Sequence, residues 1–253
     1  MGLTLSPALQ DVNTEEVARM CNIPGPRLAR DVFHLRCMLG GIDLAGRRVL
    51  EIGCGSGVYI LLAALGGAAE AVGLEPEAAG SGSGVFQEAE SRAKALELSN
   101  IRLLPLRMDE YLSGSPGKFD IVLAHNVVNH IDEEAVQVLH KDPQARKRYC
   151  GVFENIWENL AAGGCLIIAD CGRHNLFSGT SRLGVFRGVF NRSIEWNKHQ
   201  GPRLWAKLLR SAGFSRTEKD YFVPWSMRKV SMLANNPLFA YLTLSHFTIR
   251  VFA

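Results

Sequence analysis

Val49-Leu50-Glu51-Ile52-Gly53-Cys54-Gly55-Ser56-Gly57 is a short apolar run that delivers one acidic residue and then three glycines at alternate positions. The run reads as a buried strand, and the apolar stretch from about Val58 to Leu65, closed by Gly66-Gly67, reads as the helix that follows. Glycines between strand and helix permit positive φ and let a ligand approach the backbone closely. The free N–H groups at the helix start suit an anionic group. A dinucleotide fold calls for G-x-G-x-x-G, whose third glycine would fall at position 58. Here that position is Val58, and the third glycine comes at Gly57 instead.

Outward from this turn, β-rich runs alternate with helical patterns, which predicts an α/β fold built on a mostly parallel sheet. The expected strands are Arg47–Ile52, Ala69–Glu75, Ile101–Leu106, Phe119–His125, Cys165–Asp170, Phe214–Val223 and a terminal run from Leu238 to Phe252. Between them lie a flexible glycine–serine loop at Ala79–Gly84, a helix from about Val85 to Leu98, and a charged helical region from Glu133 to Leu160. The last of these is broken at Asp142-Pro143. Residues 171–200 mix Gly, Asn, Ser and Arg with aromatics and read as a loop-rich insertion, after which Pro202–Ser211 resumes the helical pattern. Residues 1–46 hold two expected helices, about Thr14–Cys21 and Pro26–Leu39, and are read as an N-terminal helical cap on a body of residues 47–253. No repeat at a period of 20–50 residues is visible, so a solenoid or propeller is not indicated.

The acidic start followed by three alternate glycines, E-x-G-x-G-x-G, resembles motif I of the class I S-adenosylmethionine-dependent methyltransferases, a Rossmann-like family with a seven-stranded, doubly wound sheet. Glu75 at the end of the second strand, Met108-Asp109 after the third, Phe119–His125 as the fourth and Leu160-Ala161-Ala162-Gly163-Gly164 entering the fifth continue the resemblance in order. Ala162 stands where the family usually has proline. The matches cover about half the chain, and a different Rossmann-like nucleotide binder is the alternative. The resemblance implies S-adenosyl-L-methionine as cofactor, with Glu51, Gly53, Cys54, Gly55, Gly57, Glu75, Met108, Asp109 and His125 as its binding residues. Glu75 would take the ribose hydroxyls as donors, and Met108-Asp109 would hold the adenine.

Methyl transfer from a sulfonium is an in-line displacement that needs the acceptor placed near the methyl carbon and, for a protonated acceptor, a destination for its proton. The run His125-Asn126-Val127-Val128-Asn129-His130 follows the fourth strand, where an α/β ligand crevice is expected. His130 is the first candidate for proton acceptor, with Asn126 beside it. A second cluster runs from Asp170 through Asn175 and from Ile194 through Gln200; His199 is its candidate, and Trp196 a candidate wall for an acceptor. No metal is expected, because no H-x-x-x-H or H-E-x-x-H spacing occurs.

Composition bounds the rest. In 253 residues, 47% are hydrophobic and 21% charged, which fits a packed core. No apolar run approaches the roughly 18 residues of a membrane span, and no secretory leader pattern is present. Met1-Gly2 with Ser6 satisfies a loose myristoylation pattern that no basic neighbours support. The six cysteines lack C-x-x-C spacing and read as reduced thiols of a cytoplasmic protein. Charge is uneven: residues 1–170 carry 15 Lys/Arg against 22 Asp/Glu, and residues 171–253 carry 13 against 3. The basic last third would suit an anionic metabolite or a polyanion. The base-methylating signature [DNS]-P-P-[YFW] is replaced by His125-Asn126-Val127-Val128, which favours a small-molecule acceptor over nucleic acid. A membrane partner is not expected, and a homo-oligomer is compatible with the sequence. An RNA methyltransferase and a non-catalytic cofactor-binding subunit are the competing readings.

Overall fold

A computed structural model describes residues 6–77, 82–176, 178, 195–221, 225–230, 235–242 and 246–253. Seven strands form one sheet in the order β3-β2-β1-β4-β5-β7-β6. These are β1 (Arg48–Ile52), β2 (Glu70–Leu74), β3 (Ile101–Leu104), β4 (Phe119–His125), β5 (Leu160–Cys171), β6 (Arg216–Tyr221) and β7 (His246–Phe252). The first five are joined in parallel, whereas β7 runs antiparallel to both β5 and β6. The order reverses between β1 and β4, so a crevice opens at their carboxyl ends.

Alternation along the strands sorts side chains to two faces. Leu50, Ile52, Val122, Ala124, Leu166, Ile168, Phe247, Ile249 and Val251 share one buried cluster with α5 (Met108–Ser113), α6 (Glu133–Val138), α7 (Pro143–Glu158) and α8 (Pro202–Ser211). Val49, Ile121, Leu123, Ile167 and Ala169 point the other way, into a second cluster with α1 (Thr14–Met20), α2 (Gly25–Leu39) and α3 (Val58–Leu65). Helix α4 (Val85–Ala95) packs beside β3 and α3. Leu28, Leu35 and Leu39 of α2 are fully buried in that second cluster, so the N-terminal helices are part of the layer on this face. Arg250 of β7 closes the end of α2: it donates to the carbonyls of Cys37 (3.3 Å) and Met38 (3.1 Å) and pairs with Asp220 and Glu218 on β6.

Several boundaries differ from the sequence reading for local reasons. The terminal run is not one strand from Leu238. It begins as a short helix, α9 (Pro237–Leu242), and only His246–Phe252 joins the sheet. Asn236 Oδ1 accepts the Phe239 N–H at 2.9 Å and Pro237 occupies the first turn, a helix start that the apolar composition concealed. Strand β5 starts at Leu160, which pairs with Phe119 across a register shift. Helix α5 and a 3₁₀ turn at Trp225–Val230 had no counterpart in the expectation. The break at Asp142-Pro143 is present: the Asp142 side chain accepts the Gln144 N–H at 2.8 Å and restarts the helix as α7. Of the glycine–serine loop, residues 79–81 lie outside the described residues. So do residue 177 and residues 179–194 of the insertion, including Arg182, Arg187 and Arg192.

Candidate active site

The alternate glycines form the turn between β1 and α3, and each has positive φ. Their surroundings differ. A Cβ on Gly53 would meet Val127 Cγ2 at 2.5 Å, and one on Gly57 would meet Ala89 Cβ at 2.8 Å, so these two permit close packing of the β4 loop and α4. Gly55 has nothing within 4 Å of that position and leaves its side open. Arg92 of α4 ties the turn down by donating to the Ser56 carbonyl at 2.7 Å.

A cavity of about 600 Å³ opens above this turn, lined by Gly53, Gly55, Glu75, Met108, Asp109, Asn126 and His130 among others. Glu75 is buried at the tip of β2. One of its carboxylate oxygens accepts the Gly55 N–H (2.8 Å) and the other the Glu77 N–H (2.9 Å). Met108 is a buried apolar wall, whereas Asp109 is on the rim, 3.3 Å from Arg107.

Glu51, Cys54 and Gly57 do not line the cavity, and the first two are buried. Glu51 is 2% exposed, and its Oε2 has no hydrogen-bond partner. Burial, with the nearby Glu75 charge adding to it against a lowering backbone bond from Ile60, pushes its carboxyl up to about 8. The Cys54 side chain packs under β2 against Gly73.

Beyond the end of β4 the chain turns sharply. Asn126 has φ +52°, and its N–H still bonds the Ala169 carbonyl at 2.8 Å. Tyr149 of α7 supports the following turn by donating to the Val128 carbonyl at 2.9 Å. His130 is held by Glu133, which lies 2.8 Å from its Nδ1, and Lys198 closes the chain by donating to the other Glu133 oxygen at 2.8 Å. Lys198, ahead of Glu133's bond to His130, holds the Glu133 carboxyl below its ordinary value. An imidazole that donates from Nδ1 to a carboxylate presents Nε2 as its acceptor, and here Asn129 Nδ2 lies 3.4 Å from that nitrogen.

His125 does not face the glycine cavity. It lines a second one, of about 540 Å³, together with His34, Tyr59, Asp170, Trp225 and His246. Its ring meets Tyr59 edge-on, with centroids 4.7 Å apart. Burial, reinforced by neighbouring histidines, pulls His125 down to about 3. His34 falls to about 4 through burial, Arg30 and His246, and burial also lowers His246. All three are neutral at pH 7. Asn126 borders both cavities. His199 lines neither; it sits behind the end of β5 against Asp170 and Cys171. Trp196 lies 6.0 Å from the His199 ring. Sequence reasoning missed His34, Tyr59, Trp225 and His246. They come from α2, α3, the 3₁₀ turn and β7, and no local motif joins them.

The family described as "Methyltransferase domain" matches residues 43–212, and the chain belongs to that family. That family and the fold are those of the class I S-adenosylmethionine-dependent methyltransferases, whose cofactor is S-adenosyl-L-methionine. Over 134 residues it is 38% identical to a tRNA U34 carboxymethyltransferase of Alcanivorax borkumensis, an alignment covering 52% of this chain and 38% of that protein. Over 174 residues it is 27% identical to a ubiquinone biosynthesis O-methyltransferase of Neisseria meningitidis serogroup C, covering 69% and 66% respectively. The chain thus spans less than two thirds of the length of either relative. A SAM-dependent methyltransferase from Archaeoglobus fulgidus superposes with a TM-score of 0.58 at 16% identity, covering 96% of this chain and all of that one, which is a likeness of fold.

Proposed function

We propose that the protein transfers the methyl group of S-adenosylmethionine to a small molecule held in the second cavity, with Asn126 at the junction. The observation that carries this reading is that one residue, at the end of β4, borders both the glycine cavity and the histidine-lined cavity. The cofactor supplies an electrophilic methyl carbon. Glu75 would take the ribose hydroxyls, Met108 and Asp109 the adenine, and Gly55 the close approach of the methionine portion. The unpartnered Oε2 of Glu51 fits the neighbourhood of that portion's ammonium. His130, oriented by Glu133, is the proton acceptor in this reading. His125 and His34 are too weakly basic for that task and position the acceptor by hydrogen bonding.

The charge of the second cavity favours a neutral or amine-bearing acceptor over an anionic one. Arg30, the arginine of its described wall, lies 3.0 Å from Asp31, and Asp220 is held by Arg250. The remaining ionic group of that wall is the acidic Asp170, and the three histidines carry no charge at pH 7. Residues 30–38 of α2 cover this cavity, which supports reading the N-terminal helices as its lid within one catalytic body. Six free cysteines support a cytoplasmic setting. No helix among the described residues is long and apolar enough to cross a membrane.

A polynucleotide acceptor is the second reading, favoured by the 38% identity to the tRNA enzyme and by the basic last third. The test is transfer of labelled methyl from the cofactor to a panel of amines and phenols and to bulk tRNA, at 50 and 200 mM salt. Labelling of small acceptors with little salt dependence is expected. Labelling of tRNA alone, collapsing at the higher salt, would replace this reading with the second. Cofactor binding without labelling of any acceptor would point to a non-catalytic subunit.

A further inference from the structure

The end of β5 brings together three metal-ligating side chains, of which Asp170 also borders the second cavity while Cys171 and His199 line neither cavity. Asp170 and Cys171 are 1% and 5% exposed. His199, 28 residues on, folds back so that its Nδ1 lies 3.1 Å from Asp170 Oδ1 and 3.1 Å from Cys171 Sγ. Candidate ligand atoms of the three residues all lie within 4.8 Å of one another.

Hydrogen bonding alone accounts poorly for this arrangement. One ring nitrogen faces both a carboxylate oxygen and a sulfur, and it has either one proton to donate or one lone pair to offer. If it donates to Asp170, the thiol contact gains nothing from that proton. If it accepts from the thiol, it presents a lone pair to the carboxylate. Asp170 Oδ1 already accepts the Cys171 N–H at 2.7 Å, and Oδ2 is buried with no partner at all. A buried carboxylate oxygen without a donor is costly and calls for a partner.

The geometry points to a binding site for one thiophilic divalent cation, zinc being the type, formed by Asp170, Cys171 and His199. A thiolate, an imidazole and a carboxylate are the donor set that such a cation takes, and three protein ligands leave a fourth position open. In a tetrahedral zinc site a bound sulfur and a bound nitrogen stand roughly 3.5 Å apart, from bond lengths of about 2.3 and 2.05 Å. The 3.1 Å contact therefore needs an opening of only a few tenths of an ångström. The Cys171 thiol releases its proton on binding. Without a cation, burial and the Asp170 charge hold that thiol far above its ordinary range, so it is no nucleophile at neutral pH.

The test uses the full chain, stripped with chelator and kept reduced, and titrates it with Co²⁺ as a spectroscopic probe; methyl transfer is not read. A near-ultraviolet thiolate-to-cobalt band saturating at one equivalent and displaced by zinc is expected. Cys171→Ser should lose the band. Asp170→Asn and His199→Gln should weaken binding tenfold or more, the loss that even an outer partner of a metal ligand brings. Retained binding of S-adenosylhomocysteine certifies that each variant folds. If Cys171→Ser does not fold, His199→Gln carries the test. No band in the wild-type protein, a band unchanged in Cys171→Ser, or affinity unchanged in His199→Gln would overturn the site.

Discussion

The two cavities at the carboxyl edge of the sheet are assembled differently. The glycine cavity is formed by consecutive strand ends and the turns that leave them: Gly53 and Gly55 after β1, Glu75 after β2, Met108 after β3, Asn126 and His130 after β4. The second cavity gathers single residues from distant elements, His34 from α2, Tyr59 from α3, Asp170 from β5 and His246 from β7. The first is fixed by local backbone chemistry. The second depends on how helices pack over the sheet. A ligand common to many enzymes belongs in the first kind of site, and a particular acceptor in the second.

Substitutions can separate the two. The largest effect expected is from His130→Gln, which should lower kcat by about 100-fold, the low end for a general base, while weakening cofactor binding far less, although His130 lines the glycine cavity. Undiminished turnover would remove His130 from proton transfer. Next comes Glu75→Ala, which should weaken cofactor binding by roughly 1.5–3 kcal/mol, the worth of a charged hydrogen-bonding group, without altering the acceptor's KM. An unchanged cofactor affinity would refute the ribose role. His34→Ala should do the reverse, raising the acceptor's KM several-fold, by about 1 kcal/mol for one lost hydrogen bond, with cofactor affinity intact. Parallel changes in both constants would mean that the two cavities are not separate sites.

The last comparison is a matter of pH. The His125 pKa is lower in the folded than in the unfolded protein, falling from the ordinary 6.5 to about 3. Between those values the unfolded chain binds the additional proton, so stability is full above pH 6.5 and is lost as pH falls toward 3. Each such histidine contributes a slope of at most about 1.4 kcal/mol per pH unit. Denaturant unfolding between pH 7 and 4.5 should therefore be less acid-sensitive in His125→Gln than in the wild-type protein. An equal slope would place His125 in a wetter site than its burial implies.

The same contrast explains what could be read from the sequence. Alternate glycines after an apolar run, and an acidic residue ending the next strand, reveal backbone requirements that no other residues meet as well, and so the first cavity was legible. Even there, direction was not: Cys54 and Gly57 do not line the cavity, and His125, one residue before the junction, points to the other side. His199 was a candidate for catalysis because it lies in a polar loop, but tertiary folding carries it to Asp170 and Cys171. The histidines of the second cavity had no signal, since a lone histidine on a helix such as α2 carries no record of what it faces. Leu238–Leu242 was misread because its apolar composition suits a strand, although Asn236-Pro237 marks a helix start.

The central claim is that the glycine turn and Glu75 hold an adenosyl sulfonium cofactor and not a dinucleotide. Calorimetric titration of the full chain with S-adenosylmethionine, S-adenosylhomocysteine and NAD tests it most directly. One-to-one micromolar binding of both adenosyl compounds and none of NAD is expected. Binding of NAD alone, or of none of the three, would contradict it.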